Sequence, residues 1–378
     1  MKMIKNLIAI LLVAMMALSA SACHGKDEIA VTIDGIEFTS AYYMCALVNA
    51  DSEAQSKVYE SLSDEEKQKT DIDYRAHKVE DKAYDTWVKD RALDALKDIA
   101  AYKLLCEQNK VETDEEMMTS SEQYAEYYWS SYGYSALFEP NGVSKTTFMK
   151  YMTDSVYSSM YFDHLYAEGG KEEISADDMK KTMGESFVLV DSISATYTTD
   201  DGKEMTDDAK KALKEKFNGY VTAIKDGTKT FEQVYHENNG TKESDDTKED
   251  TTTTDADKKE DVKEELKPVN RHASVMGAKD TGYDNDDFDT VKAMAVGEVK
   301  LVELEENGGL VIYVKRDLMA DEYYVDQIDS SVRHFIKDDD FEKKVDEFIK
   351  GLDIEVVDYA VNRFKVKKIV YPEAQQQG

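Results

Sequence analysis

What this chain of 378 residues has little of already excludes several classes of protein. Proline occurs 3 times, where average usage of about 5% would give roughly 19. Together with 33% charged residues, this scarcity favours long helices over a proline-rich all-β fold. Basic residues are also scarce, with 47 Lys and Arg against 79 Asp and Glu and a formal net charge of −32. This imbalance argues against nucleic acid, and against anionic lipid bound through a polybasic patch.

Cysteine and histidine are too few and too dispersed to predict a metal site. The chain has 3 cysteines and 6 histidines and no CxxC or HExxH motif, the spacings that zinc sites use. Cys45 and Cys106 lie on apolar faces of predicted helices, which favours two buried free thiols. A disulfide between them is the alternative if the protein is exported. We expect no metal and no cofactor.

The one long apolar run indicates a processing signal. Leu7 to Leu18 is twelve apolar residues, shorter than the about 20 that span a bilayer. Lysines precede it and small residues follow it, as in a signal peptide, here residues 1–22. Cys23 comes directly after Ala22 and resembles the cysteine of a bacterial lipobox.

The lipobox resemblance implies a location for the mature chain. The resemblance implies a diacylglycerol on Cys23, which meets the requirement of more than one acyl chain for stable anchoring. The protein would then sit on the extracytoplasmic face of the bacterial cell membrane, with residues 23–28 as a tether. A secreted protein cut after Ala22, with a plain cysteine, is the alternative.

Spacing of apolar residues predicts most of the regular structure. Asp34-Gly35 between alternating residues predicts a hairpin, and Thr39 or Ser40 can cap the helix that follows. Thr113 is a plausible cap further on. Helices are predicted at 41–62, 83–109, 145–167, 209–224, 231–235, 322–336 and 341–352, and strands at 187–197 and 310–314.

Residues 239–268 have a different composition from the rest of the chain. They hold 11 acidic residues, 6 lysines and 6 threonines, and no aromatic residue. Such a segment buries too little apolar surface to offset its ordering entropy. We therefore predict a disordered acidic loop, with a tether for a cation or a client polypeptide as the alternative.

Four segments, in order along the chain, resemble SurA/PrsA-type foldases. They are VTIDGIEFTSAYY (Val31–Tyr43), ALDALKDIAAYKLLCEQNKVETDEE (Ala92–Glu116), VSKTTFMKYMTDSVYSSMYFDHLY (Val143–Tyr166) and FEKKVDEFIKGLDIEV (Phe341–Val356). The resemblance implies a mostly helical α+β protein. A SurA N-terminal-like chaperone domain at 29–185 would be completed by residues 319–372, and residues 373–378 would be a tail.

Between these parts, Phe187 to Asp317 resembles a parvulin-type (PpiC-like) prolyl isomerase domain, predicted at 186–318. The order is strand, helix, short helix, a glycine-containing loop, a helix leading into AVGEV, and the closing strand LVIYVKRD. Active parvulins carry a histidine in the first strand and usually another in the last. This chain has no histidine in either strand, and the matching positions are Ser192 and Leu310. Asp191 and Ser192 have no partner base in the sequence and predict a solvated face.

Fifteen residues hold an unusual number of aromatic side chains. They are Tyr124, Tyr127, Tyr128, Trp129, Tyr132, Tyr134 and Phe138. A packed helix end explains such a cluster, and so does a surface that binds client polypeptides, because Tyr and Trp are enriched at interfaces.

Three functions follow from these features. The resemblance implies a membrane-anchored extracytoplasmic chaperone or foldase that assists unfolded or partly folded exported polypeptides. The missing histidines favour a protein with little or no isomerase activity. An active prolyl isomerase with an altered site is the first alternative, and a surface lipoprotein that binds one specific partner is the second.

Overall fold

The structure, a computed structural model, describes residues 28–69, 71–199, 201–241, 272–279, 285–304 and 308–372. Several predicted features lie outside the described residues. They are the signal peptide, Cys23, nearly all of the tether, residues 242–268 of the acidic loop and the tail at 373–378. No helix in the described part of the chain is both long and apolar enough to cross a membrane.

Helices dominate the chain, and the predicted class, α+β and mostly helical, is confirmed. The helices are α1 (Ser40–Ser61), α2 (Asp64–Lys67), α3 (Tyr84–Asn109), α4 (Glu115–Ser130), α5 (Tyr134–Phe138), α6 (Lys145–Asp154), α7 (Val156–Tyr166), α8 (Ala176–Ser186), α9 (Asp207–Lys225), α10 (Phe231–Asn239), α11 (Asn285–Ala293), α12 (Glu322–Ile349) and α13 (Asp358–Asn362). The strands are β1 (Ile29–Ile33), β2 (Ile36–Thr39), β3 (Lys78–Val79), β4 (Lys82–Ala83), β5 (Phe187–Thr196), β6 (Ala273–Gly277), β7 (Val299–Leu304), β8 (Gly309–Arg316) and β9 (Ile354–Val356). Short 3-10 turns lie at Tyr74–Ala76, Leu318–Ala320 and Val366–Lys368.

The chain divides into two compact units. The first unit combines Met1–Glu173 with Asp339–Gly378, and the second is Ile174–Asp338. The sequence interpretation had assigned residues 174–185 and 319–338 to the helical domain. In the structure they belong to the second unit, because Met183 and Ile328 share an apolar cluster with Leu189 of β5.

The sheet of the first unit joins the two ends of the chain. Its strand order is β2-β1-β9, with both pairings antiparallel. Asp34 and Gly35 have φ values of 44° and 83°, the conformation that a two-residue hairpin turn requires, so the predicted hairpin is confirmed. Thr39 caps α1 by accepting a hydrogen bond from the amide of Tyr42 at 3.2 Å.

Helices α1 and α3 pack together around the main core of the first unit. Their cysteines, Cys45 and Cys106, are both buried and both free, as the apolar helix faces predicted. Burial raises the pKa of both thiols, that of Cys106 to about 11. Both therefore remain protonated at neutral pH and act as apolar core residues.

A buried carboxylate, Asp154 at the end of α6, connects three helices. It accepts a hydrogen bond from the Tyr42 hydroxyl of α1 at 2.8 Å. It also lies 2.6 Å from the ammonium groups of Lys103 of α3 and Lys150 of α6. Burial lowers the pKa of Lys103 and raises the pKa of Tyr42. Loss of one partner would leave a buried charge poorly compensated, which is costly.

Helix boundaries differ from the predictions in three places. The helix predicted at 145–167 is divided at Ser155, whose hydroxyl donates to the Met152 carbonyl at 2.6 Å and competes with the helical ladder. The helices predicted at 322–336 and 341–352 form one helix, α12, because the polar residues between them include no glycine or proline. Asp114, and not Thr113, caps α4.

The second unit is built on a four-stranded antiparallel sheet of order β6-β5-β8-β7. Helices α9 and α10 pack on one face with Ile193 and Leu310. Helix α11 packs on the other face with Val190 and Val311. The element order predicted for this region is present. Strands β6 and β7 were missed, because strands of five and six residues give little periodicity.

The C-terminal segment is held to the first unit by polar side chains. Asn141 donates to the carbonyl of Val370 at 2.7 Å and accepts from its amide at 2.9 Å. The Tyr371 hydroxyl donates to the buried Asp51 carboxylate at 2.6 Å. Arg75 donates to the carbonyl of Val366 at 3.0 Å. These contacts place the end of the described chain on α1 and the turn after α5.

Replacing Asn141 should therefore destabilise the first unit. We expect Asn141→Ala to lower the free energy of unfolding by about 1–3 kcal/mol, because two backbone groups lose their partner. Asn109→Ala is the matched control. The amides of Asn141 and Asn109 each donate to the carbonyl four residues earlier, at 2.7 and 2.8 Å, but among the described residues Asn109 has no hydrogen bond to the C-terminal segment. Thermal and urea unfolding measure both variants. Equal losses would contradict the role assigned to the C-terminal segment.

Candidate functional site

Ser192 and Leu310, the two positions that the sequence matched to the missing histidines, lie on opposite faces of the β5–β8 pair. Ser192 lies opposite Tyr313, and Leu310 lies opposite Ala195. Because side chains alternate along a strand, Ser192 is on the α11 face and Leu310 is on the α9 and α10 face. Ser192 and Leu310 therefore do not share a face, and the β8 side chains that share a face with Ser192 are Val311 and Tyr313.

Apolar side chains pack between α11 and the sheet face that carries Ser192. Its buried cluster consists of Val188, Val190, Met276, Val291, Met294, Val311 and Tyr313. Lys315, the next β8 residue on this face, donates to the carbonyls of Lys292 and Met294 at 2.8 Å and so caps the C-terminal end of α11. Burial lowers the pKa of Lys315. This part of the face is thus packed as a core, whereas Ser192 is half-buried and Ser194 is exposed. No imidazole is among the strand residues of this face.

Asp191 is buried, which corrects the expectation of a solvated face. Its side chain is 0% exposed and forms an ion pair with Nε of Arg316 across β5 and β8. Burial raises the pKa of Asp191, and the guanidinium opposes that shift. The pair lies on the sheet face opposite to Ser192, between the cluster that contains Leu189 and the cluster that contains Ile193. It is therefore a structural ion pair between two apolar cores.

A polar cleft opens at the edge of β5 where the shorter strand β6 ends. Its volume is about 440 Å³, and it is lined by Ser192, Ile193, Ser194, Tyr235, Asn239, His272, Ala273 and Ser274. The rings of Tyr235 and His272 stack with centroids 3.9 Å apart. His236 lies 5.8 Å from His272 by ring centroids, and its Nδ1 is 2.8 Å from the Thr241 hydroxyl. Hydroxyl, amide and imidazole groups therefore converge here.

Sequence reasoning missed this cleft. The histidines were treated as scattered, and His236 and His272 stand on either side of the long acidic segment. The position of these two histidines at the two ends of the acidic segment was the only signal in the sequence that they lie close together. In the described part of the chain, no group of three or more His, Cys, Asp or Glu side chains is arranged to hold a metal ion.

The aromatic cluster of α4 and α5 is divided between core and surface. Trp129 and Phe138 are 6% and 2% exposed and pack against Phe148, with ring centroids at 5.3 and 5.0 Å. Tyr134 contacts Phe148 at 5.8 Å and stacks on Tyr128 at 5.4 Å. These four residues therefore form the packed helix end that the sequence analysis considered.

The remaining three tyrosines form an exposed surface, which we call the tyrosine surface. Tyr124, Tyr127 and Tyr132 are 65%, 52% and 65% exposed. Tyr132 contacts Tyr128 at 5.4 Å and Tyr127 at 6.1 Å, so two of the three rings rest on the packed ones. Rings that are already ordered lose little entropy on binding. The surface is suited to bind an extended or unfolded polypeptide.

Comparisons with known proteins identify similar solved structures. No protein-family model and no curated protein matches the chain. The foldase PrsA of Streptococcus pneumoniae matches with 12% identity and a TM-score of 0.36, over 75% of this chain and 87% of that one. PrsA of Lactococcus lactis matches with 15% identity and a TM-score of 0.36, over 88% and 96%. PrsA of Bacillus subtilis matches with 13% identity and a TM-score of 0.27, over 75% and 85%.

These structures are of the same kind as the foldases that the sequence resembles. Superpositions with TM-scores of 0.27 to 0.36 do not define shared sites. The function proposed below therefore rests on the side chains of this chain.

The Asp191–Arg316 pair allows a test of the second unit. We expect Arg316→Leu to lower the free energy of unfolding by about 2 kcal/mol at pH 7. This loss is smaller than the loss of about 3–5 kcal/mol when one partner of a fully buried pair is removed, because Arg316 is half-exposed. Without the guanidinium, the folded-state pKa of Asp191 rises further above its unfolded value. The folded state then binds protons more readily, so the loss should shrink as the pH falls towards about 4.

The double variant Asp191→Val/Arg316→Leu is the control for this prediction. It removes both charges, and we expect it to be more stable at pH 7 than Arg316→Leu alone. Urea unfolding between pH 4 and pH 8 measures all three proteins. A loss in Arg316→Leu that does not change with pH would show that the ion pair is not its cause.

Proposed function

We propose that this chain is an extracytoplasmic chaperone or foldase that binds unfolded segments of exported proteins through the tyrosine surface, with little or no prolyl isomerase activity. The observation that carries the proposal is the exposure of Tyr124, Tyr127 and Tyr132 beside a packed aromatic support. Large, ordered aromatic rings bind varied sequences, because they offer contact area at a low entropy cost. Binding of this kind suits clients that share no single motif.

The sheet of the second unit supports the non-catalytic part of the proposal. The resemblance to parvulins places catalysis on the strands that are β5 and β8 here. Ser192 and Tyr313 form the cross-strand pair on the α11 face, where a parvulin would have imidazoles. On the side of this pair towards α11, that face is an apolar core. A substrate proline that entered there would have to displace packed side chains, at the cost of their burial.

An isomerase with an altered site is the second candidate, favoured by the cleft at the edge of β5. The cleft places Ser192 in one lining with His272 and Tyr235. A hydroxyl group both donates and accepts hydrogen bonds, and an imidazole does so in its neutral form. Together they are able to contact the amide of a twisting prolyl bond. A surface lipoprotein with one specific partner is a third reading of the sequence, which client assays separate from the first.

Anchoring at Cys23 is a further part of the proposal and rests on the sequence alone. Cys23 follows a charged segment, twelve apolar residues and small residues, as in lipoprotein signal peptides. We expect mass spectrometry of the mature N-terminus to find a lipidated Cys23, and Cys23→Ser to release the protein from membranes. An unmodified Cys23, or a mature chain that starts elsewhere, would exclude the anchor.

The catalytic prediction concerns Xaa-Pro isomerisation. Uncatalysed exchange takes tens to hundreds of seconds at 25 °C, so weak activity is easy to detect. We expect the full chain and Ser192→Ala to leave the exchange rate of a proline peptide unchanged. Activity in the full chain that Ser192→Ala abolishes would establish the isomerase and refute the non-catalytic proposal.

The chaperone prediction concerns aggregation of an unfolded client. We expect the full chain to suppress it, and the triple variant Tyr124→Ala/Tyr127→Ala/Tyr132→Ala to lose most of this effect. The replaced side chains are exposed, so thermal stability should change by about 0.5 kcal/mol or less. Tyr59→Ala is the control, since Tyr59 is 43% exposed but lies on α1. Equal suppression by the triple variant would place client binding elsewhere.

A further inference from the structure

The tyrosine surface lies in an acidic part of an acidic protein. Helix α4 contains Glu115, Glu116, Glu122 and Glu126 and neither lysine nor arginine. Lys145, the first basic residue after α4, is already paired with Glu126 at 2.7 Å. Glu116 is exposed and stands eleven residues before Tyr127, which is about three helical turns and therefore the same side of the helix.

The rings of this surface are not engaged by the protein's own cations. Elsewhere the chain pairs lysines with tyrosine rings: Lys103 lies 5.2 Å from the ring centroid of Tyr157, and Lys210 lies 5.4 Å from that of Tyr197. Within the part of the chain that the structure describes, no such contact involves Tyr124, Tyr127 or Tyr132. More than half of each of these side chains is exposed, so the rings are accessible to a cation from solution.

We propose that the tyrosine surface selects cationic client segments, that is, unfolded polypeptide rich in arginine or lysine. This inference rests on the proposed function and names the client class. Two interactions favour a cationic client segment. The rings attract a guanidinium or ammonium group at short range. The net charge of −32 attracts cationic chains at long range and raises their association rate. An acidic segment meets repulsion from both the glutamates and the whole chain.

A matched set of peptides tests the client class on the full chain. The peptides are unstructured 15-residue sequences that differ only at three positions, which are arginine, citrulline or glutamate. Citrulline keeps the shape and hydrogen bonding of arginine but lacks its charge. An exposed cation–π contact is worth about two- to fivefold in affinity. We expect the arginine peptide to bind about tenfold more tightly than the citrulline peptide, and the glutamate peptide to bind most weakly.

Two triple variants locate the preference. Tyr→Phe at positions 124, 127 and 132 keeps the aromatic rings and should keep the preference for arginine over citrulline. Tyr→Leu at the same positions keeps apolar area but removes the π faces, and should reduce the preference to about threefold or less. The remaining preference should disappear at about 0.5 M salt, where charges are screened. Thermal unfolding of both variants checks that they fold.

The outcomes separate this inference from the proposed function. Equal binding of arginine and citrulline peptides would overturn the cationic class. If Tyr→Ala at the three positions still abolished binding of both, the client surface itself would stand. A preference for arginine that survives Tyr→Leu unchanged would overturn the assignment to these rings. Failure of every peptide to bind, together with no suppression of aggregation, would overturn the proposed function as well.

Discussion

The antiparallel pairing of β1 with β9 is the constraint on which the rest of the structure depends. Strand β1 pairs with β2 at one edge and with β9 at the other, so one sheet needs residues from both ends of the chain. The contacts of Asn141 with Val370 and of Asp51 with Tyr371 strengthen the same closure. The second unit must therefore be an insertion between two parts of the first. Contacts between residues so distant in sequence require a loss of loop-closure entropy, and this loss comes before the contacts stabilise the fold.

The four-stranded sheet of the second unit has apolar cores on both faces. Strand order and register are set by this apolar alternation. On the face that carries Ser192, Tyr313 and Val311 join Met276 and Val291 in the core, whereas Ser192 itself is half-buried. On the opposite face, Asp191 is buried because Arg316 faces it across the sheet. Polar groups that converge on the cleft come instead from the strand edge and from α10.

The tyrosine surface follows from an excess of aromatic residues on α4, on α5 and in the turn between them. Only one side of α4 faces the core, so Trp129 and Ala125 are buried while Tyr124 and Tyr127 are exposed. Exposed rings are costly in water unless a partner covers them, and clusters of them mark interaction sites. Tyr132 contacts Tyr128, Tyr128 stacks on Tyr134, and Tyr134 contacts Phe148 in the core. Surface and core are thus parts of one aromatic network.

Local chemistry in the sequence determined the hairpin at Asp34-Gly35, the cap at Thr39, the long helices and the mostly helical class. These features depend on neighbours within a few residues, where propensity and spacing act. The single helix α12 and the break at Ser155 were missed, because hydrogen-bond competition is not visible in apolar spacing. Tertiary structure alone decided that Leu310 and Ser192 lie on opposite faces of the sheet and that Asp191 is buried. It also decided that His236 lies close to His272, and which tyrosines are exposed to solvent. Each depends on strand register or on contacts between residues far apart in sequence, and a one-residue change of register reverses every side chain.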